Sequence, residues 1–201
     1  MQAVQSERHA IGLSSHGRQL SDQISRNLMQ SAIDEPLWIS EYDPTWPEKF
    51  RKEKARLLQI FARSFVDIEH IGSTAVPGLG AKPIIDMMGG LKNMNNADSL
   101  LGPLREYGYV TPPHCNDGLT DRRWLLRHAG GHRTHHLHLV AHGGEAWRRT
   151  IQFRDALCRD PESLKRYEKL KRDLVTITDN NRSAYISAKS EFVEMILKRT
   201  S

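Results

Sequence analysis

Apolar positions follow a helical period in some parts of the chain and a two-residue period in others, and this contrast predicts the secondary structure. Thr45-Trp46-Pro47-Glu48 has the form of a capping box with an early proline. After it, an apolar stripe continues at helical spacing through Phe50, Leu57, Leu58 and Phe61. We therefore predict a helix that begins near Thr45, with a short strand over 38–42 just before it.

The segment 68–89, IEHIGSTAVPGLGAKPIIDMMG, predicts a strand, a turn of small residues and a second strand. Gly72 can adopt backbone angles that are closed to other residues, so the chain can fold back tightly there. The N–H groups of such a turn, with the hydroxyls of Ser73 and Thr74, would form a cradle for an oxyanion or a phosphate. An ordinary connecting turn has the same composition, so the residues beside it decide between the two interpretations.

Asp86 lies in the second of these strands, which is predicted over 82–88. Its neighbours Ile85 and Met87 are apolar, and a carboxylate buried among apolar groups is costly unless it has a partner, a metal or solvent. Asp86 is therefore the strongest candidate site residue, although a structural hydrogen bond would also account for it. Lys82 borders the cradle and is a candidate phosphate ligand.

Strands and helices alternate through the middle of the chain, whereas the last third is helical. Further strands are predicted over 109–111, 122–127 and 133–140, and the glycine-bearing turn 128–132 is suited to join the last two as a hairpin. Helices are predicted over 96–107 and from about residues 145, 160 and 179. This order predicts an α+β domain in which a mixed β-sheet is flanked by helices and followed by a C-terminal helical segment.

Six histidines fall between residues 128 and 142, in the segment HAGGHRTHHLHLVAH. Side chains alternate between the two faces of a strand, so His136 and His138 share one face and Leu137 and Leu139 share the other. If the leucines face the core, the two histidines point together as a metal-binding or phosphate-binding pair would. A solvent-facing sheet surface with incidental histidines is the alternative.

Basic residues supply further candidates. Of the arginines around the histidines we select Arg133 as a phosphate ligand, because a guanidinium can hold a phosphate through two hydrogen bonds. The basic residues of the penultimate helix are predicted to form a solvated outer face, with RNA contact as the alternative: Lys165, Arg166, Lys169 and Lys171.

Composition limits the class of protein. With 201 residues, 38% of them hydrophobic, the chain is expected to form one soluble domain over 37–201 after a flexible N-terminal extension over 1–36. No apolar run reaches the roughly 20 residues needed to span a membrane. The net charge of +5 favours anionic ligands such as nucleotides. Two widely separated cysteines, Cys115 and Cys158, agree with a reducing, cytoplasmic location.

The chain resembles the GrpB family. The resemblance is carried, in order, by EYDPTWPEKF, the segment 68–88, RTHHLHLV, FRDAL and YISAKSEFVEMIL, and it extends from about Trp38 to Lys198. It implies the polymerase-beta-like fold of the nucleotidyltransferase superfamily.

The superfamily pattern implies roles for the matching positions. Gly72 and Ser73 would be the Gly-Ser pair of a phosphate-gripping turn, and Asp86 the first metal-binding carboxylate. A second carboxylate usually lies two residues further on, where this chain has Met88. A third normally comes from a neighbouring strand, and here that strand offers His136 and His138.

This departure changes the expected metal. Two Mg²⁺ ions are normally held by oxygen ligands, whereas one aspartate and two histidines form a softer set that suits Mn²⁺, Fe²⁺ or Zn²⁺. We therefore expect a divalent metal, Mn²⁺ or Mg²⁺ with Zn²⁺ as an alternative, at Asp86, His136 and His138. Glu69, on the strand that enters the turn, is a candidate replacement carboxylate.

Three functional hypotheses remain open from the sequence. The first is a metal-dependent nucleotidyltransferase that binds a nucleoside triphosphate and transfers a nucleoside monophosphate to an unknown small-molecule or macromolecular acceptor. The second is a non-catalytic nucleotide-binding module on the same fold, and the third is a His/Asp metal-dependent phosphohydrolase. Neither a membrane nor a nucleic acid is indicated as a partner.

Overall fold

The computed structural model describes residues 23, 27–36, 38–112, 114–178 and 181–200, and five strands and six helices lie in that part of the chain. The first helix, α1, covers 27–34. The other helices are α2 (Trp46–Phe61), α3 (Ala97–Glu106), α4 (Glu145–Arg159), α5 (Pro161–Ile177) and α6 (Arg182–Thr200). The strands are β1 (Asp67–Ile71), β2 (Ile85–Leu91), β3 (Tyr109–Val110), β4 (Arg122–Ala129) and β5 (His132–Ala141).

The five strands form one mixed sheet in the order β1-β2-β5-β4-β3. Only β2 and β5 run parallel, and the other neighbours are antiparallel. The predicted α+β architecture with a mixed sheet is therefore confirmed. The parallel pair has a functional consequence, because its register places Asp86 beside His136 and Met88 beside His138.

A tight hairpin joins β4 to β5, as the glycine-bearing turn predicted. Ala129 pairs with His132, and the two residues between them, Gly130 and Gly131, have φ angles of 57° and 81°. Positive φ at both central positions is the geometry that matches the natural twist of paired strands. The turn thereby fixes the register of β5, on which the two central histidines lie.

The two faces of the sheet have different coverings. One face forms the main core with α2 and α3, where Leu137 and Leu139 of β5 are fully buried together with Leu57 and Leu104. On the other face, Met88 packs in an apolar cluster that includes Trp147 of α4. His136 and His138 of β5 lie on this second face, which the C-terminal helices cover only in part.

The structure corrects two predictions near the start of the domain. Residues 38–42 do not form a strand, and Ser40 makes only an isolated bridge to Ala81. Thr45 does not cap α2 through its side chain. Its hydroxyl donates instead to Asp43 Oδ1 at 2.6 Å, so the early proline of the helix rather than a capping box marks its start.

Most of the predicted N-terminal boundary region falls on residues that the structure does not describe. Of the predicted extension 1–36, most lies outside the described residues, and within the described part 27–34 is helical with Ala32 fully buried. Leu37 and Asp179, where the domain and the last helix were predicted to begin, also lie outside the described residues. Across the described ranges, no helix combines the length and the apolar character needed to cross a lipid bilayer.

Candidate metal and phosphate site

Asp86, His136 and His138 come together on the partly covered face of the sheet. One potential ligand atom from each lies within 4.8 Å of the others. The alternation predicted for β5 explains the arrangement, because Leu137 and Leu139 are buried in the core on the opposite face. Asp86 joins the histidines because β2 runs beside β5 in parallel register.

His136 holds the carboxylate in place. Its Nδ1 lies 2.8 Å from Asp86 Oδ1, and the ring packs edge-on against Trp124 at 5.2 Å between centroids. Burial works to raise the pKa of Asp86, but the hydrogen bond to His136 and the neighbouring positive charges outweigh it, so that this pKa is lowered. The carboxylate is therefore ionised at neutral pH. The Nε2 atom of His136 is buried and has no hydrogen-bond partner among the described residues.

These three residues fit a divalent metal. Burial lowers the pKa of His138 to about 4, so its imidazole is neutral and has a lone pair to offer at pH 7. Ligands that share an octahedral metal are separated by about 3 Å, since metal–ligand bonds are about 2.1 Å long. The 2.8 Å between His136 Nδ1 and Asp86 Oδ1 is a hydrogen-bond distance, and one potential ligand atom from each of the three residues lies within 4.8 Å of the others. The unsatisfied, buried nitrogen of His136 is a second indication of a missing partner.

The Gly72 turn lies directly against Asp86. Gly72 has φ 70° and ψ −169°, and a single turn of 3₁₀ helix over Ser73–Ala75 follows it. A Cβ atom built on Gly72 would lie 2.5 Å from Asp86 Oδ2 and 2.9 Å from Asp86 Cβ. Only glycine therefore allows the turn to approach the carboxylate this closely, which brings Ser73 beside the three candidate metal ligands.

The Thr74 hydroxyl has a structural task that the sequence did not reveal. Thr74 is only 1% exposed, its Oγ1 lies 3.0 Å from His70 Nε2, and it donates to the carbonyl of Ile84 at 3.3 Å. Any contact between Thr74 and a phosphate would therefore come from its backbone N–H. Ser73 lines both cavities described below, whereas Thr74 lines only the larger one.

Lys82 and Arg133 meet at the carboxylate of Glu35, just after α1. Lys82 Nζ lies 2.9 Å from Glu35 Oε2, and Arg133 Nε lies 3.8 Å from the same oxygen. His132 Nδ1 contacts the other oxygen, Oε1, at 3.1 Å. Both predicted phosphate ligands line the larger cavity, but each is already next to an acidic partner that the sequence did not point to.

Two lysines of the C-terminal helices reach the site, and sequence reasoning missed both. Lys171, assigned to a solvated face, is only 2% exposed and donates to Ser73 Oγ at 3.1 Å and to the carbonyl of Gly80. Lys189 of α6 lines both cavities, and its Nζ lies 4.4 Å from the centre of the Tyr185 ring. The signal for Lys171 was its spacing, because it lies between Tyr167 and Leu174 on the buried stripe of α5.

Two cavities open on either side of this cluster. The smaller has a volume of about 340 Å³ and the larger about 610 Å³. Their walls share Ser73, Asp86, Arg122, His138 and Lys189. Two molecules bound one in each cavity would therefore meet at the turn and at the candidate metal-binding residues.

Met88 occupies the position at which the family resemblance implies a second carboxylate, and its side chain is part of the core packing. Met88 is 1% exposed and lies in an apolar cluster with Ile71, Val140 and Trp147. Glu69, the candidate replacement, accepts a hydrogen bond from Arg154 Nη1, which also donates to the carbonyl of His70 at 2.8 Å. The carboxylate of Glu69 is thus already paired within the fold.

Comparison with known proteins agrees with the motif. The family model described as GrpB protein matches residues 36–199. The chain is 34% identical over 153 residues to the UPF0157 protein YqkA of Bacillus subtilis, covering 76% of this chain but only 44% of that protein. It is also 34% identical over 164 residues to the glutamate-rich protein GrpB of Alkalihalophilus pseudofirmus, covering 78% of this chain and 91% of that protein.

A solved structure supports the fold. The crystal structure of conserved protein GrpB from Enterococcus faecalis matches with a TM-score of 0.71 and 32% sequence identity, over 81% of this chain and 96% of that chain. These comparisons bear on the family and the fold of the chain.

Proposed function

The chain belongs to the GrpB family, and we propose that it is a metal-dependent nucleotidyltransferase. It binds a nucleoside triphosphate and transfers the nucleoside monophosphate to an acceptor. The observation that carries the proposal is the meeting of Asp86, His136 and His138 with the Gly72–Ser73 turn. Membership of the nucleotidyltransferase superfamily, which the motif implies, is part of this proposal.

Asp86, His136 and His138 would hold the metal. A divalent metal bound there supplies Lewis-acid stabilisation of the charge on phosphate oxygens. The donor set favours Mn²⁺ over Mg²⁺, with Zn²⁺ as the alternative, because imidazole nitrogen suits transition metals and Mg²⁺ prefers oxygen ligands.

The remaining site residues bind and orient. The hydroxyl of Ser73 is positioned to hold a phosphate, and Arg122 and Lys189 lie where they would offset its negative charge from both cavities. With the nucleotide in one cavity and the acceptor in the other, the acceptor hydroxyl oxygen forms a bond to the α-phosphorus as the bond to pyrophosphate breaks, and the hydroxyl proton passes to solvent. The protein's contribution is then mainly to fix the two substrates in line.

A specific observation favours a second candidate, the non-catalytic nucleotide-binding module. Met88 and its apolar neighbours leave no carboxylate at the second superfamily position, and Glu69 is bound by Arg154. This alternative predicts nucleotide binding that hardly depends on metal and releases no pyrophosphate. The phosphohydrolase alternative rests on the single-metal donor set and predicts metal binding without any preference for nucleotides.

Calorimetric titration tests these alternatives directly. ATP, GTP, CTP and UTP are titrated with and without Mn²⁺ into the wild type, Asp86→Asn and Glu69→Gln, and pyrophosphate release is measured in parallel. The proposal expects Mn²⁺-dependent binding that Asp86→Asn reduces at least about tenfold, since it removes a charged metal ligand. Glu69→Gln is the matched acidic control from the same face of the sheet and should leave Mn²⁺ binding unchanged.

Each alternative has its own outcome. Nucleotide binding that ignores both Mn²⁺ and Asp86 supports the non-catalytic module and contradicts the proposal. Tight Mn²⁺ binding without any nucleotide binding supports the phosphohydrolase instead.

A further inference from the structure

Lys171 is the buried cation that the proposed mechanism does not yet use. Its side chain extends from α5 into the fold, is 2% exposed and ends at the turn, where Nζ donates to Ser73 Oγ at 3.1 Å and to the carbonyl of Gly80. The same side chain lines the larger cavity. It therefore connects the Ser73 turn with the space in which a ligand would lie.

No carboxylate of the described residues lies within ion-pair distance of Lys171. The nearest acidic influence is Glu168, which is itself paired with Arg172 at 2.9 Å. The other groups that face the amine are the cations Lys189 and Arg172 and the ring of Tyr167, whose centre is 5.3 Å from Nζ. Burial, with the repulsion from these cations, lowers the pKa of Lys171 to about 7.

A buried ammonium without an anion is expensive, and a hydrogen bond to a carbonyl compensates for it only in part. A methionine of similar volume would fill this position of the apolar stripe at lower cost. An anion bound beside the Lys171 amine would compensate for the cost of burying its charge. The adjacent Ser73 hydroxyl supplies a second donor to the same anion, which is the combination that suits a phosphate oxygen.

We propose that Lys171 and Ser73 together bind a phosphate group, and that this group belongs to the distal, pyrophosphate end of the nucleoside triphosphate. The identity of the ligand as a nucleotide rests on the proposed function, whereas the phosphate chemistry follows from the two side chains. The C-terminal helices are then part of the binding site rather than a separate appendage.

Phosphate binding at Lys171 is coupled to proton uptake. The free amine, with its pKa of about 7, is mostly neutral at pH 8. A bound phosphate favours the ammonium and raises this pKa, so the Lys171 amine takes up protons on binding at pH 8 and fewer at pH 6.

Tripolyphosphate without metal is the probe, because it separates phosphate binding from metal binding and from the reaction. Its binding is measured by calorimetry at pH 8 in two buffers of different ionisation enthalpy, which reports the protons taken up. Lys171→Met should weaken binding roughly ten- to hundredfold, the effect of losing a charge-assisted hydrogen bond, and should abolish the uptake. Lys169→Met on the same helix, whose side chain is 77% exposed, is the control and should change neither.

Several outcomes would overturn the inference. The wild type contradicts it by failing to bind tripolyphosphate, a test that stands even if Lys171→Met does not fold. A folded Lys171→Met that takes up as many protons as the wild type contradicts it as well. A further outcome is a folded Lys171→Met that binds tripolyphosphate as tightly as the wild type while the protein still releases pyrophosphate from nucleotides. That result overturns the role of Lys171 and leaves the proposed function intact. Lys171-dependent tripolyphosphate binding without pyrophosphate release has the opposite meaning, since the anion site then stands and nucleotidyl transfer does not.

Discussion

The close approach of Gly72 to Asp86 gives the sharpest test of how this site is built. We predict that Gly72→Ala disrupts the carboxylate, although alanine is the smallest substitution available. The added Cβ would lie 2.5 Å from Asp86 Oδ2 and 2.9 Å from Asp86 Cβ, whereas an unstrained contact is about 3.5 Å. Asp86 must therefore move by roughly 1 Å, which is enough to break its 2.8 Å contact with His136.

The energy has two parts that can be separated. Gly72 has φ 70° and ψ −169°, a region reserved almost entirely for glycine, and placing another residue there costs about 1–3 kcal/mol. The clash with Asp86 adds about 1–3 kcal/mol, the usual cost of overpacking. Gly78 offers a control, because it also has a positive φ of 80° but nothing lies within 4 Å of its added Cβ.

The assay is chemical denaturation combined with Mn²⁺ titration of the variants. Gly78→Ala should lose stability through backbone strain alone and keep its Mn²⁺ affinity, whereas Gly72→Ala should lose more stability and about tenfold in affinity. In the background of Asp86→Gly, which removes Cβ as well as the carboxylate, both close contacts disappear. The double-mutant cycle should then show a coupling free energy of about 1–3 kcal/mol. Zero coupling, or equal behaviour of the two glycine variants, would refute the reasoning.

Two further predictions concern stability. Glu53→Ala should lower the free energy of unfolding by about 3–5 kcal/mol, because the buried Glu53 carboxylate accepts hydrogen bonds from Arg56, Arg127 and Tyr109. Urea denaturation measures the change, and Glu48→Ala, at a side chain that is 43% exposed, is the control and should stay within about 0.5 kcal/mol. Burial lowers the pKa of His70 from 6.5 to about 4, so the unfolded chain binds this proton more readily and the contribution of His70 to stability is lost as the pH falls from 6.5 towards 4. His70→Gln should flatten that pH dependence of unfolding, and a slope identical to that of the wild type would contradict the assignment.

The parts of the fold that were predictable are those governed by local rules. The prediction that His136 and His138 share the face opposite the core followed from strand alternation, because Leu137 and Leu139 identified the core face. The hairpin turn followed from its two adjacent glycines, and the start of α5 from Asp160-Pro161, where the aspartate side chain accepts hydrogen bonds from two backbone N–H groups. Each of these signals lies within a few residues of the feature that it specifies.

The parts that were missed depend on partners far away in the chain. Lys82 looked like a phosphate ligand because nothing nearby competes for it, yet Glu35, which pairs with it, is far away along the sequence. Lys171 looked exposed because it belongs to a basic run, yet its helical position is on the apolar stripe. Its partner Ser73 lies 98 residues away along the chain. A local pattern gives the face of a helix, but only the tertiary fold shows what that face meets.

Met88 links the candidate chemistry to the packing of the fold. A carboxylate at this position would be buried among Ile71, Val140 and Trp147, at a cost that one metal ion would have to offset. If Asp86 holds a metal as proposed, methionine at this position leaves no carboxylate there for a second ion and so removes the charge that a second ion would supply. Under the proposed function, cationic side chains around the two cavities take over that charge: Arg122, Arg154, Lys171 and Lys189. The lysines reach the site from helices α5 and α6, so a variant that weakens the packing of these helices on the sheet should lose nucleotide affinity before it loses Mn²⁺ affinity.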